Sequence, residues 1–271
     1  MKGITKAEYF ISKRVGMAIN RYKMISAGDR VLVGVSGGKD SLTLLRILQE
    51  RKRWLPIDYK IKAIHISTDQ DQQPEVKRDR LKEYFEELGC DHVFRDVSIA
   101  EKNKLGRLDC FWCSWNRRKA IFEAAAETGF NKVALGHHKD DIVETILMNM
   151  IFNGEISGIN PVQSLFGGKI AIIRPLIFLE EKDIRRYVKG AKLPVIRSSC
   201  PRSRNSKRAL IKDMVARLSK VNQDIKSNIL RAPHRIKTEY LGEVPEEGIP
   251  GGDEGQRITD AGQGPVAGGR S

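Results

Sequence analysis

The sequence predicts an α/β protein built on a doubly wound parallel sheet, with one helix ahead of the sheet and a helical region behind it. Three observations carry that prediction. Strand-length apolar runs alternate with helical periods through residues 28–195. Those runs are apolar on both faces, as strands covered by helices on both sides must be. The first of them breaks into a Gly-Gly turn that leads straight into a helix. After Glu180 the periodicity is helical only.

The elements follow in order. Residues 5–24 begin with a Thr suited to cap a helix and set Phe10, Ile11, Val15, Ala18, Ile19 and Tyr22 at helical spacing, so 1–27 reads as an N-terminal helical segment. "RVLVGVS" at 30–36 is a buried strand, and "SLTLLRILQERKRW" from Ser41 is a helix. "YKIKAIHIS" at 59–67 reads as a strand, 74–88 as a helix and "HVFRDVSI" at 92–99 as a strand. Beyond "DCFWCSWN", "RRKAIFEAAAETG" is a helix closed by Gly129. "NKVALG" is a strand, "DDIVETILMNMIFNG" a helix and "IAIIRPL" the last strand. Helices are expected over 180–191, 207–220 and 222–233. The division predicted is an α/β body over 28–195, a basic helical region over 196–242 and a disordered tail over 243–271. That tail is rich in Gly and Pro, with little to bury.

Composition narrows the class. The 271 residues carry a formal charge of +14, and the tail holds six acids against two arginines, so the preceding part stands near +18. Such a body favours a polyanionic partner through phosphate neutralisation, or is a well-solvated basic protein. From Arg197 to Lys237 there are twelve Lys or Arg against two Asp. No run approaches the ~20 apolar residues of a membrane span, and the start lacks the apolar stretch of a secretory signal, so a cytoplasmic protein with reduced thiols and no membrane partner is expected. Four cysteines are too few for a disulfide framework. Cys90, between a helix and a strand, reads as a small buried residue. Cys110 and Cys113 form a CxxC pair, open to a redox dithiol, half a zinc site or part of an iron–sulfur site, and Cys200 stands alone downstream. The redox dithiol is the weakest of these, because it needs a helix N-terminus and leaves Cys200 unused.

The sharpest local signal is Ser36-Gly37-Gly38-Lys39-Asp40-Ser41, between a strand and a helix. The glycines permit positive φ and close approach of backbone to ligand. The amides of Gly38 to Ser41 can face an anion at the positive end of a helix, and Lys39 adds a mobile charge. A Walker A loop does not fit, because the Gly needed five residues before Gly38 is Val33. "ALGHHKDD" ends another strand with Gly136 and opens a helix with Asp140 and Asp141, either as caps or as Mg²⁺ ligands on phosphate. "IIRPL" ends a strand with Arg174, whose guanidinium could reach an α-phosphate. If the loop holds a nucleotide, the strand end "HIS" at 65–67, with His65 and Ser67, is where its adenine would be met, by backbone groups. In an open parallel sheet, ligands lie off these carboxyl ends.

The glycine loop resembles the pyrophosphate loop, SGGxDS, of ATP pyrophosphatase-type enzymes. Taken with "TDQDQQP" at 68–74, "CFWCSWNRR" at 110–118, "LGHHKDDIVETILMNM" at 135–150, "IIRPLIFLEEKDIRRY" at 172–187 and "CPRSRNSKR" at 200–208, the chain resembles the tRNA 2-thiocytidine synthetases, from about Lys23 to about Leu230. The resemblance implies a PP-loop ATP-pyrophosphatase domain, ATP and Mg²⁺, and a [4Fe–4S] cluster on Cys110, Cys113 and Cys200. It implies a tRNA substrate, often a homodimer, and a sulfur donor such as a cysteine desulfurase or free sulfide. The implied catalytic set is the three cysteines with Lys39, Asp140 and Arg117. Arg117, one turn past Cys113, would steady the cluster or hold RNA phosphate, and Trp112 and Trp115 would pack or stack on an extruded base. Two positions depart from the family pattern: Arg197 stands where a further cysteine is common, and Pro201 replaces the usual glycine. The alternatives are thiolation of another tRNA base, a lysidine synthetase-like ligase that needs no cysteine trio, and a zinc-stabilised RNA-binding module.

Overall fold

A computed structural model describes residues 5–53, 55–99, 110–196 and 207–242, without the side chains of 110 and 111. Thr5 caps α1 (Lys6–Arg21), its Oγ1 accepting from Glu8 N at 3.2 Å. Ile11, Val15, Ala18 and Ile19 turn inward as their spacing requires, while Phe10 stays largely exposed. Six strands follow: β1 (Arg30–Gly34), β2 (Lys60–Thr68), β3 (His92–Val97), β4 (Lys132–Ala134), β5 (Val162–Leu165) and β6 (Ile170–Ile173). Between and after them come α2 (Lys39–Lys52), α3 (Pro74–Glu87), α4 (Cys110–Glu127), α5 (Lys139–Phe152), α6 (Glu181–Ala191), α7 (Lys207–Val221) and α8 (Ile225–Arg231).

The strand order is β3-β2-β1-β4-β6-β5, and every pairing is parallel except β5 with β6. The doubly wound sheet expected from the alternating pattern is present, with one addition. β5 pairs antiparallel at the edge, with Val162 opposite Ile173. Its "VQSL" is partly exposed and lacks the double-faced apolar run that marks the other strands. An antiparallel strand at the edge of a parallel sheet is common. β6 ends at Ile173, earlier than "IAIIRPL" suggests, because Pro175 has no N–H for the ladder.

One face of the sheet is packed by α4, whose Ala120, Ile121, Ala124 and Ala125 close on Leu32, Ile64, Ile66 and Val133. On α2, Leu42, Leu44, Leu45, Ile47 and Leu48 are all buried, a pattern no single packing face explains. α1 and α6 cover its outer side. The helix α4 begins at Cys110, earlier than the "RRKAIFE" period suggests, so the cysteine pair lies in its first turn.

The chain divides into two compact units, Met1–Asp140 with Asn160–Arg202, and Asp141–Ile159 with Ser203–Ser271. The second has its own core, in which Val143 and Leu147 of α5 pack with Ile211 and Val215 of α7, flanked by Phe152, Met214, Ile229 and Leu230. Within it Arg208 Nε donates to Glu144 Oε2 at 2.9 Å. Among the described residues, no helix is long and apolar enough to cross a membrane.

Candidate active site

In this strand order the chain leaves β1 for β2 on one side and returns to β4 on the other, so the carboxyl ends of β1 and β4 flank the reversal point of the sheet. The glycine loop fills that point. Gly37 has φ +84°, a left-handed conformation that costs a side-chain-bearing residue about 1 kcal/mol or more. Gly38 is the N-cap of α2 and has no side chain with which to cap it. The two serines brace the loop from within: Ser36 N donates to Ser41 Oγ at 3.1 Å, and Ser41 Oγ donates to Gly38 O at 3.0 Å. The first turn of α2 thereby offers its amide end at the sheet's carboxyl edge.

Gly136, two residues past β4, abuts this loop. A Cβ there would stand 3.1 Å from Asp40 C and 3.1 Å from Ser41 N, both backbone atoms. Only a residue without a side chain lets the strand end come so near. Lys39 does not reach into open space. Its Nζ lies 2.8 Å from Asp40 Oδ2 and 3.1 Å from Glu181 Oε1. Burial opposes its charge, but the two carboxylates outweigh burial and raise its pKa above the usual lysine value. Asp140 Oδ2 accepts from Glu181 N at 2.8 Å, and His138 stands 3.7 Å from Asp40 and 3.6 Å from Asp140. Asp141, one position on and so rotated by about 100° around the helix, has Oδ1 3.8 Å from Arg208 in the second unit. Among the described residues, no three His, Cys, Asp or Glu side chains form a ready metal cage.

Arg174 is buried at the end of β6. Its guanidinium donates to Asn160 O, to Gln163 Oε1 at 3.3 Å and to His137 Nδ1 at 3.3 Å. All three acceptors are neutral, since a ring nitrogen that accepts carries no proton. Among the described residues no carboxylate pairs with Arg174. Burial, helped by the nearby Arg118 charge, lowers its pKa to about 10. A buried cation with neutral partners is a strong anion attractor.

A PP-loop domain model matches residues 11–218. Among curated proteins, the tRNA-cytidine(32) 2-sulfurtransferase of Methylobacillus flagellatus is 37% identical over 84% of this chain and 76% of its own length. That of Deinococcus radiodurans is 37% identical over 85% and 78%, and that of Geobacter sulfurreducens 35% identical over 85% and 91%. The chain belongs to the PP-loop family of tRNA-cytidine 2-sulfurtransferases. As a member it is a sulfurtransferase enzyme. In overall fold it is similar to the U34-tRNA thiolase NcsA of Methanococcus maripaludis, solved with its [4Fe-4S] cluster, at a TM-score of 0.72 and 24% identity over 88% of this chain and 84% of that one.

His65 and Ser67 are side by side on the same face of β2 and both are buried. His65 Nδ1 lies 2.6 Å from Val35 O, so it carries the proton and donates. Its Nε2 and the Ser67 Oγ have no hydrogen-bond partner among the described residues. Burial takes the His65 pKa down to about 4, so the ring is neutral. This is an unused acceptor beside an unused hydroxyl, the pair an amino-purine edge would satisfy.

Cys113 is half-buried in the first turn of α4, three positions from Cys110 and so on the same helix face. The objection that a dithiol needs a helix N-terminus therefore falls; Cys200 lies outside the described residues. Cys90 is buried, its thiol donating to Asp91 O and its pKa pushed up to about 11 by burial. Arg117 Nη2 lies 2.9 Å from Asp71 Oδ1 and 3.1 Å from Thr68 Oγ1. Sequence reasoning missed Asp71, Lys77 and Glu181. The first lies in "TDQDQQP", quoted only as a family segment, and the last sits where an acid ordinarily reads as a helix-start charge.

Proposed function

We propose that the chain is an ATP-dependent tRNA thiolation enzyme that adenylates the C2 oxygen of an anticodon-loop cytidine and replaces it with sulfur. The observation that carries this reading is the buried Arg174, held by neutral acceptors at the carboxyl end of β6, beside β4 and on the same edge of the sheet as the glycine loop. An arginine so placed suits the phosphate at which ATP would be split.

In this reading, the amides of Gly38 to Ser41 and the α2 N-terminus hold the departing pyrophosphate. Lys39 exchanges its carboxylate partners for phosphate oxygens, and Arg174 lies against the α-phosphate, where charge builds as the cytidine oxygen attacks. His65 and Ser67 receive the adenine. Mg²⁺ needs only one or two carboxylates with phosphate oxygens, so Asp140, with Asp141 after it, suits it without a preformed cage. A sulfur nucleophile then attacks C2, the C2–O bond breaks and AMP leaves with the oxygen. A thiolate donor set suits an iron–sulfur group, and Cys110 and Cys113 on one helix face, with Cys200, would hold a [4Fe–4S] cluster. When bound by three thiolates, such a cluster supplies one iron position open to sulfur. The basic 197–237 stretch would bind the tRNA, a cysteine desulfurase or free sulfide would supply sulfur, and the enzyme would work as a cytoplasmic homodimer.

The test is anaerobic incubation of the full chain with unmodified tRNA, ATP, Mg²⁺, sulfide and free lysine, followed by mass spectrometry of the nucleosides. ATP-dependent 2-thiocytidine with matching pyrophosphate release is expected. Pyrophosphate release with another thiolated base would move the target, and lysidine would replace sulfur transfer altogether.

A further inference from the structure

A second lysine lies against the glycine loop. Lys77 comes from the first turn of α3, and its Cε stands 3.4 Å from where a Gly37 Cβ would be, so its stem crosses the loop at van der Waals distance. Its Nζ lies 3.6 Å from Asp71 Oδ1, the same oxygen that Arg117 reaches at 2.9 Å. Asp71 is itself fixed: its Oδ2 accepts from Thr68 N at 2.7 Å and from Thr68 Oγ1 at 3.1 Å. Lys77 and Asp71 are each only 12% exposed at the side chain, and Arg117 32%.

Two cations thus share one carboxylate, and among the described residues neither has another. One positive charge is left over in a half-dry position beside Gly37, where an anion would be drawn in. The loop's own lysine, Lys39, is meanwhile occupied by Asp40 and Glu181. Burial lowers the Lys77 pKa, Asp71 pulls it back and Arg117 lowers it again, for a net downward shift that an arriving polyanion would reverse.

We propose that Lys77 is a second phosphate-binding cation of the nucleotide site, taking the pyrophosphate portion of ATP and the pyrophosphate released, with Asp71 as the carboxylate that competes with phosphate for it. This rests on the reading of the glycine loop as an ATP site. The long Lys77–Asp71 pair is loose enough to open toward phosphate, while the shorter Arg117 contact keeps Asp71 in place.

The experiment measures binding of inorganic pyrophosphate and of ATP to the full chain by calorimetry, in the unaltered protein and in K77M, K77R and D71N. K77M keeps the stem over Gly37 but removes the charge, and is expected to weaken pyrophosphate binding about tenfold or more. K77R should restore most of it. D71N releases both cations and should tighten binding severalfold, the opposite of what a merely structural carboxylate would do. Chemical acetylation of the unaltered protein, read by mass spectrometry, provides a check that does not depend on a variant folding: saturating pyrophosphate should protect Lys77. Unchanged binding in K77M, weaker binding in D71N, or equal Lys77 labelling with and without pyrophosphate would overturn the proposal. Failure of the unaltered chain to bind either ligand would instead overturn the function on which it rests.

Discussion

Gly136→Ala is the most direct probe of how β4 and the glycine loop are fitted together. The new methyl would meet Asp40 C and Ser41 N at 3.1 Å and Ser41 Cα at 3.3 Å. Comfortable contacts for carbon begin near 3.5 Å, so the strand end and the first turn of α2 must part by about 0.4 Å. Both are backbone, with no flexible side chain to move aside. Overpacking of this kind costs about 1–3 kcal/mol, a fall of roughly 2–12 °C in melting temperature for a chain of this size. The same displacement falls on the amides of the glycine loop, which on the proposed reading would face the phosphates of ATP, so KM for ATP should rise by about an order of magnitude. Gly190→Ala is the matched control. It is an exposed position in α6, nothing lies within 4 Å of its would-be Cβ, and its φ is unstrained. That change should stabilise by about 0.5–1 kcal/mol, because alanine loses less backbone freedom in a helix. Thermal melts and initial-rate kinetics on both variants decide the matter. A Gly136→Ala protein with unaltered melting and unaltered KM for ATP would show that the strand end and loop are not held together as described.

Three more outcomes are expected. His65 is held neutral in the fold with a pKa of about 4 against 6.5 for the free side chain. Its folded pKa is depressed, so the stability it contributes is present above pH 6.5 and is lost as pH falls toward 4, a loss of about 3 kcal/mol. Melting temperatures taken from pH 7 to pH 4 should fall more steeply in the unaltered protein than in His65→Gln, and parallel curves would refute this. Arg174→Lys keeps a charge but loses the three-way fork, so kcat/KM for ATP should drop ten- to a hundredfold; equal rates would remove Arg174 from the α-phosphate. Under anaerobic reconstitution, Cys113→Ser should lose bound iron and keep ATP binding. Cys90→Ser should retain its iron, because Cys90 is buried with its thiol raised to about 11. The reverse pattern in iron content would reassign the ligands.

Much of the molecule was legible from local pattern. Double-faced apolar runs of strand length argue for strands covered on both sides, so β1, β2, β4 and β6 pointed to a parallel sheet, and the Gly-Gly turn between β1 and α2 marked a strand that leads straight into a helix. β5 was not legible, because "VQSL" is half-exposed at a sheet edge and owes its strand state to pairing with β6 rather than to its own period. The start of α4 was equally hidden. "CFWCSWN" has no clear helical stripe, and the helix over it is set by the packing of Ala120, Ile121 and Ala124 further along.

The sequence by itself determined the sheet class, the glycine loop between β1 and α2 and the cysteine spacing, because each depends on residues close together in the chain. Only the tertiary structure decided the partners of the charges. Lys39 turned out to be shared between Asp40 and Glu181, Arg174 to rest on neutral acceptors, and Arg117 and Lys77 to divide a single carboxylate. The physical reason is that charge pairing falls off with distance in space, and Lys39 with Glu181, or Asp71 with Arg117, become neighbours only once the strands are laid side by side.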